Sequence, residues 1–363
     1  MAYKILLLAG DGVGVEIANS ALRVAKFFQS NNILNIEIEE GLVGGSAIDQ
    51  TGTPLPEETL RLAKQSDAIL FGAVGGPKWD SLENKDRPEA GLLKLRSELD
   101  LFCNLRPATV LDGMADTSTL KTKLVDNLDL MIIRELTGGL YFGFPRGIFE
   151  KDDQQYGINT LRYNAREIER IAKASFEVAL KRSSKLCSVD KANVLEVSQL
   201  WRDIFKKISS EYPTVELTNM YVDNAAMQLV REPKQFDVIV TENMFGDILS
   251  DLAAMLTGSI GMLPSASLND SKQGLFEPVH GSAPDIAGQN CCNPIAMIMS
   301  LAMMFQYSFS EAKAAQMIGG SIRSVIKDGF CTKDIPIKDG KIIGTKELTN
   351  KIIEKLQGLY DER

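Results

Sequence analysis

Short apolar runs and longer amphipathic stretches alternate from the first residues of this chain, and that alternation restricts its fold more than any single motif does. Tyr3–Leu8 reads as a strand, Val13–Ser30 as a helix, Ile33–Glu39 as a strand, Pro56–Gln65 as a helix and Ala68–Ala73 as a strand again. This is the signature of βαβ units, in which a helix returns the chain between strands that run the same way. Further helices are expected near Glu89–Leu99, Asn164–Lys181, Ser198–Ser210, Val222–Val230, Asn243–Leu256, Pro294–Phe305, Ser310–Asp328 and Thr345–Leu359. Strands are expected near Leu130–Glu135, Lys185–Val189, Glu216–Tyr221 and Asp237–Thr241. A length of 363 residues, 44% apolar and 24% charged, suits about two α/β domains with a large core. Phe144–Arg162 has no helical period and holds glycine, proline and several charges, so it reads as an extended hairpin or arm. Such an arm commonly crosses to the partner in a dimer; a plain surface loop fits the same residues.

A formal net charge of −8, with no basic run, argues against a nucleic-acid partner, because phosphate binding needs a basic surface. Any anionic substrate must then be met by individual arginines. Ile5–Leu8 is too short for the apolar part of a signal peptide, and no later stretch reaches membrane-spanning length. A cytoplasmic protein with no membrane partner is expected. Cys103, Cys187, Cys291, Cys292 and Cys331 are odd in number and contain no C-x-x-C pair. They read as small hydrophobes in a reducing compartment, with redox activity of the neighbours Cys291 and Cys292 as the alternative. His280 is the single histidine, which argues against a histidine-based triad and a multi-histidine metal site. Acid and base work falls to Lys, Tyr, Asp or Glu.

Asp247 and Asp251 stand four residues apart in Thr241–Leu252, so both carboxylates share one helix face, roughly 6 Å apart at Cβ. A hard cation such as Mg²⁺ or Mn²⁺ would relieve their repulsion; a solvated face of an ordinary helix also carries such pairs. Arg96, Arg106 and Arg134 lie in or beside apolar segments, where a guanidinium needs a partner. Three of them suit the two carboxylates of a dicarboxylic acid, while internal pairs such as Arg134 with Glu135 or Arg96 with Asp100 compete. Tyr141 follows a Gly-Gly turn, and Lys191 follows a strand at the end where α/β sheets present reactive groups. Each alone also fits a core tyrosine or a surface lysine. Asp223 opens a helix and fits an N-cap. Glu277–Gly288 is rich in Gly, Pro and small residues, so its backbone can approach a ligand, or it is a surface turn. There His280 can donate a hydrogen bond, and Asp285 can accept ribose hydroxyls while repelling a 2′-phosphate. Gly10, Gly12 and Gly14 make G-x-G-x-G, not the dinucleotide fingerprint, which leaves a tight strand-to-helix turn and a ligand-side loop both open.

Taken together, long motifs in a fixed order resemble the β-decarboxylating dehydrogenases of the isocitrate/isopropylmalate family. They are Glu89-Ala-Gly-Leu-Leu-Lys-Leu-Arg96, Asn104-Leu-Arg-Pro107, Arg134-Glu-Leu-Thr-Gly-Gly-Leu-Tyr-Phe-Gly143, Thr241–Leu252, Gly258-Ser-Ile-Gly-Met-Leu-Pro-Ser-Ala-Ser267 and the Asp285 loop. The resemblance implies that family's two-domain α/β fold, which is not a Rossmann fold, with the active site in the interdomain cleft. Residues 1–105 and 258–363 would form a first domain with most of the cofactor site. Residues 106–257 would form a second, with the dimer interface and an arm near 144–162. The resemblance further implies that Arg96, Arg106 and Arg134 hold malate carboxylates and that Leu92, Leu93 and Val194 line a pocket for an apolar substituent. Asp247, Asp251 and an Asp223 supplied by the other chain would bind Mg²⁺ or Mn²⁺, with Asp223 also touching substrate. Lys191, again from the other chain, would take the C2 hydroxyl proton, and Tyr141 would protonate the enol. The loop would clasp NAD through Glu277, His280, Gly281, Ser282, Ala283, Pro284, Asp285, Ile286 and Asn293.

An apolar Leu92-Leu93 pair cannot bind the extra carboxylate of isocitrate, whereas it can bury an isopropyl group worth roughly 2 kcal/mol of transfer energy. The expected reaction is NAD-dependent oxidative decarboxylation of (2R,3S)-3-isopropylmalate to 4-methyl-2-oxopentanoate and CO₂, in leucine biosynthesis, by a homodimer with shared sites. Tartrate, D-malate or homoisocitrate as substrate, or a catalytically silent regulatory subunit, are the rival readings. Ala9 and Val15 stand where the family usually has prolines, and Asn290-Cys-Cys precedes Asn293 where Gly-Ile-Ala is usual. Both departures lie near cofactor-side loops.

Overall fold

The computed structural model describes residues 2–362, and the chain divides into two compact units. The first holds residues 2–101, 110–127 and 254–362; the second holds residues 102–109 and 128–253. In chain order the longer strands are β1 (Tyr3–Gly10), β2 (Ile36–Glu40), β3 (Ala68–Ala73), β4 (Cys103–Thr109), β5 (Asp129–Glu135), β6 (Gly147–Lys151), β7 (Gln154–Ile158), β8 (Lys185–Asp190), β9 (Glu216–Tyr221), β10 (Val238–Thr241), β11 (Pro264–Leu268) and β12 (Gly274–Pro278).

In the first unit the strand order is β2-β1-β3-β12-β11, parallel except for the antiparallel β11–β12 pair. Ile5–Leu8 and every residue of β3 are buried, giving the continuous apolar runs of parallel strands covered on both faces. Helix Ile295–Tyr307 is buried over most of its length and packs on helices Gly14–Ser30 and Ala312–Lys327 and on β3, β11 and β12. Phe28 and Phe305 meet edge to face there, with ring centres 5.3 Å apart.

The Gly10–Gly14 segment is a tight turn for steric reasons. A Cβ on Gly10, at φ +72°, would stand 2.0 Å from the Ala73 oxygen, and one on Gly12, at φ +55°, would stand 2.1 Å from the Ser282 oxygen. Within the turn, the buried Asp11 carboxylate accepts from the backbone N–H groups of Gly45 and Ser46 at 2.7 Å and of Gly75 at 2.9 Å.

Three of these longer strands are missing from the sequence expectation: β4, β11 and β12. Pro107 and Pro264 each remove a ladder donor, and Pro264-Ser-Ala-Ser-Leu lacks β-branched residues, so local preference is weak where burial and pairing decide. Helix Gly45–Thr51 is also unannounced, framed by Gly44 and a left-handed Gly52. Residues 110–127 belong to the first unit, whereas the sequence reading puts them in the second. Ser118 Oγ donates to the Met255 oxygen at 3.2 Å, and Thr117 fills the space that a Cβ on Gly258 would need.

The second unit orders its strands β4-β5-β10-β8-β9. β4 runs antiparallel to β5, with Cys103 opposite Glu135 and Thr109 opposite Asp129, and the other pairs are parallel. Helices Ala165–Leu180 and Glu196–Ser209 pack through Phe176, Trp201 and Phe205. The first of them starts at a complete capping box of Asn164 and Glu167. β6 and β7 form a hairpin with every residue exposed, Ile148 at 81%. β5, β10 and β8 are parallel neighbours, so their C-terminal ends deliver Arg134, helix Asn243–Ala254 and Lys191 to one edge of the sheet. Neither strand order is the all-parallel 3-2-1-4-5-6 of the dinucleotide-binding fold. No helix among the described residues is long and apolar enough to cross a membrane.

Candidate active site

Arg134, next to last in β5, is almost wholly buried and meets the helix face that the 247/251 spacing defines. Its Nη1 donates to Asp247 Oδ1, and its Nε donates to Asn243 Oδ1 at 2.9 Å. Gly246 makes this approach feasible, because a Cβ there would stand 2.7 Å from Arg134 Cγ. Arg106, on β4, donates from Nη1 to Ser250 Oγ at 2.6 Å, and the same nitrogen lies 3.5 Å from Asp251 Oδ1 and 3.7 Å from Asp247 Oδ1. Its Nε donates to Asn104 Oδ1 at 2.9 Å. Tyr141, at the end of the turn Gly139–Tyr141, donates its hydroxyl to Asp247 Oδ2 at 2.9 Å, and the Arg134 guanidinium lies 5.6 Å from its ring centre. The helix face that sequence spacing leaves open between solvent and function is thus packed against two guanidinium groups and a phenol.

Charge follows from that packing. Burial raises the Tyr141 phenol above its ordinary value and the Asp247 charge raises it further, so the hydroxyl stays a donor. Asp251 is raised by burial; Arg106 opposes this, and the charge of Asp247 adds to it. A bridging divalent cation would remove that residual repulsion, and carboxylate oxygens are the donors that hard cations prefer.

Lys191 follows β8, and its Nζ donates to Asp223 Oδ1 at 2.8 Å. That hydrogen bond holds the Asp223 carboxyl below its ordinary range. Tyr221, not Asp223, occupies the N-cap of helix Val222–Arg231, and the Asp223 carboxylate in the first turn also accepts from its own backbone N–H and that of Asn224. Among the described residues, Lys191 and Asp223 make no hydrogen bond or ion pair to Asp247 or Asp251, and no three His, Cys, Asp or Glu side chains gather as an ion would need. The lysine and its aspartate form a pair of their own.

In the first unit, Arg96 stands in the last turn of helix Pro88–Glu98 and donates from Nη2 to Glu277 Oε1 on β12 at 2.7 Å. Both side chains are buried, and Arg96 Nε is buried without a partner among the described residues. Leu92 packs partly on the core, Leu93 is 38% exposed and Val194, in the second unit, is 64% exposed. Apolar surface at Leu93 and Val194 is therefore available to a ligand.

The loop after β12 presents its groups differently from the sequence expectation at one residue. His280 Nδ1 lies 2.9 Å from the Gly281 oxygen, and burial holds the imidazole below its ordinary pKa, so it is neutral with its proton on Nδ1. The buried Nε2, without a partner among the described residues, is then an acceptor, where sequence suggests a donor. Gly281 is open on its Cβ side and Pro284 and Asp285 are exposed, while Ala283 is held at φ +36° and Ile286 is half-buried. Ser282 is buried: its Oγ donates to the Gly75 oxygen at 2.8 Å, and its oxygen accepts from Val13 N at 2.8 Å. Asn293 is buried, donating to Asp334 Oδ2 at 3.1 Å and accepting from Ile295 N at 3.0 Å. An orphaned imidazole nitrogen beside an open glycine and an exposed carboxylate fits a nucleotide. Burial pushes the Cys292 thiol up to about 12, which keeps it protonated and supports its reading as a small hydrophobe.

Asn243, Ser250, Asn104, Asp11 and Asp334 hold these groups in place, and the sequence alone gives none of them a role. Asn104 and Asn243 carry a usable signal, a carboxamide inside a segment otherwise destined for burial, where it must find partners.

The isocitrate/isopropylmalate dehydrogenase family model matches residues 4–352. Over 359 residues the chain is 56% identical to the 3-isopropylmalate dehydrogenase of Aquifex aeolicus, covering 99% of this chain and 98% of that one. It is 55% identical over 355 residues to the chloroplastic 3-isopropylmalate dehydrogenase 2 of Arabidopsis thaliana, covering 98% of this chain and 88% of that one. The fold is similar to that of isocitrate dehydrogenase from Methylococcus capsulatus, with a TM-score of 0.87 and 33% identity over 98% of this chain and 99% of that one.

Proposed function

Since the chain belongs to the isocitrate/isopropylmalate dehydrogenase family, we propose that it oxidises and decarboxylates (2R,3S)-3-isopropylmalate to 4-methyl-2-oxopentanoate and CO₂. NAD would accept the hydride, Mg²⁺ or Mn²⁺ would be the cation, and the setting would be leucine biosynthesis in the cytoplasm. The observation that carries this reading is the Tyr141 hydroxyl on Asp247 beside Arg134, a proton donor fixed between a carboxylate and a guanidinium. Full-length identity above half to proteins named 3-isopropylmalate dehydrogenase, against a third to an isocitrate dehydrogenase, supports the substrate.

Arg96, Arg106 and Arg134 would grip the two carboxylates of the substrate, and Leu92, Leu93 and Val194 would take its isopropyl group. Asp247, Asp251 and Asp223 would hold the cation; Glu277, His280, Gly281, Ser282, Ala283, Pro284, Asp285, Ile286 and Asn293 would hold the nucleotide. When bound, the cation supplies positive charge beside the C2 oxygen and the nicotinamide supplies a hydride acceptor. Lys191 takes the C2 hydroxyl proton as the C2 hydride departs, leaving a β-keto acid. The carboxylate on C3 then leaves as CO₂, its bonding pair remains on the substrate as an enolate, and Tyr141 delivers a proton to C3.

A homodimer with shared sites suits the geometry, because Lys191 and Asp223 form a pair separate from Asp247 and Asp251. The second domain would carry the interface, and the arm would cross to the partner; its exposed Ile148, Phe149, Tyr156 and Ile158 support that role. Formation of NADH from 3-isopropylmalate with Mg²⁺, beside isocitrate and D-malate, tests the proposal. Turnover of the first is expected, and turnover of either other acid without it overturns the reading.

A further inference from the structure

Asn243 is fully buried, and its side chain uses its hydrogen-bonding capacity on the surroundings of Arg134 and Tyr141. Oδ1 accepts from Arg134 Nε at 2.9 Å, and Nδ2 donates to the Leu136 oxygen at 3.2 Å and the Gly138 oxygen at 3.0 Å. Its backbone N–H donates to the Tyr163 hydroxyl at 3.0 Å. Leu136 and Gly138 lie on the short connection from Arg134 to Tyr141. A closed circuit results: Asn243 to Arg134, Arg134 to Asp247, Asp247 to Tyr141, and back along the turn to Asn243.

Residue type matters at this place. A carboxamide offers an acceptor on one side and two donors on the other, whereas a carboxylate would set an oxygen against two carbonyl oxygens and compete with Asp247 for Arg134. An asparagine at the start of a helix ordinarily caps that helix. Here Glu242 does so, accepting from Phe245 N at 2.9 Å, and the Asn243 side chain is turned to the site instead.

We propose that Asn243 is a positioning residue that holds the Arg134 guanidinium and the Tyr141 phenol in one frame, keeping carboxylate binding and proton delivery in register. It touches no reacting atom, and the roles of Arg134 and Tyr141 rest on the reaction proposed above.

Asn243→Asp, nearly isosteric, tests this in the full-length protein. Hydrogen exchange at amides 137–141 should quicken by roughly ten- to a hundredfold, the loss expected for one or two buried hydrogen bonds. KM for 3-isopropylmalate should rise and kcat should fall by factors in that range, with KM for NAD within about twofold of wild type. Unchanged exchange at 137–141 overturns the proposal. So does a rise in KM for NAD matching that for the acid, since general loosening has that effect. If the wild-type protein does not oxidise the acid, the reaction assignment fails and the exchange measurement still decides the placement. Asn243→Ser, too short to reach the two carbonyls, is read in the same way should the aspartate variant fail to fold.

Discussion

Replacing Gly246 by alanine sets two effects against each other in helix Asn243–Ala254. Alanine is a better helix former than glycine by about 1 kcal/mol, which favours the variant. The new Cβ would stand 2.7 Å from Arg134 Cγ, 2.8 Å from its Cβ and 3.3 Å from its Cα. Carbon atoms settle at about 3.5–4.0 Å, so the arginine and the helix must separate by roughly 1 Å. The obstructing atoms lie at the backbone end of the side chain, so no swing of the guanidinium clears them. Overpacking of this kind costs about 1–3 kcal/mol, which leaves a net destabilisation of about 0–2 kcal/mol. Activity should fall far more than stability does. A displacement of about 1 Å at a binding group can cost on the order of a hundredfold in rate, and Arg134 is the group displaced. Urea unfolding and steady-state kinetics on the same preparation separate the two. Near-wild-type kcat/KM with a normal unfolding curve would refute the packing argument, and so would a stability loss of several kcal/mol.

Asp285 is exposed in the loop after β12, and Asp285→Lys should weaken NAD and improve NADP; an unchanged preference in kcat/KM removes it from the ribose site. Refolding inactive Lys191→Met together with inactive Asp247→Asn should restore part of the activity, because one site of the heterodimer is then intact; no recovery despite confirmed heterodimers counts against a Lys191 supplied by the partner. Burial lowers the His280 pKa from its ordinary 6.5, so the stability it confers is present above that pH and is lost as pH falls through the folded value. Its imidazole, the single one in the chain, should titrate below 6.5 by proton NMR, and a midpoint at or above 6.5 contradicts the burial.

The periodic elements were readable because their pattern is strong: Ala68–Ala73 and Glu216–Tyr221 match residue for residue, and helix Asn243–Ala254 follows its strand as spacing suggests. β4 and β11 were not, since Pro107 and Pro264 look like breakers and the strands exist through pairing, β4 with β5 and β11 with β12, and not through local preference. In the site, Arg106, Arg134, Tyr141, Asp247 and Asp251 could be named from motifs, and the structure brings them within bonding distance. Which partner each arginine takes could not. Arg96 finds Glu277 at 181 positions' separation, and sequence neighbours such as Asp100 gave no hint of it. The orientation of His280 likewise depends on a carbonyl direction that no residue pattern encodes.

Strand β3 is buried along its whole length, yet one of its two neighbours, β12, follows it by roughly 200 residues. During synthesis at about 5–20 residues per second, β3 therefore has one open apolar edge for on the order of 10–40 s. The second unit emerges complete within that interval, since residues 102–109 and 128–253 precede β12. A nascent chain in this state presents a template for pairing with other chains, and its yield should depend on translation speed and on chaperones that cover strand edges.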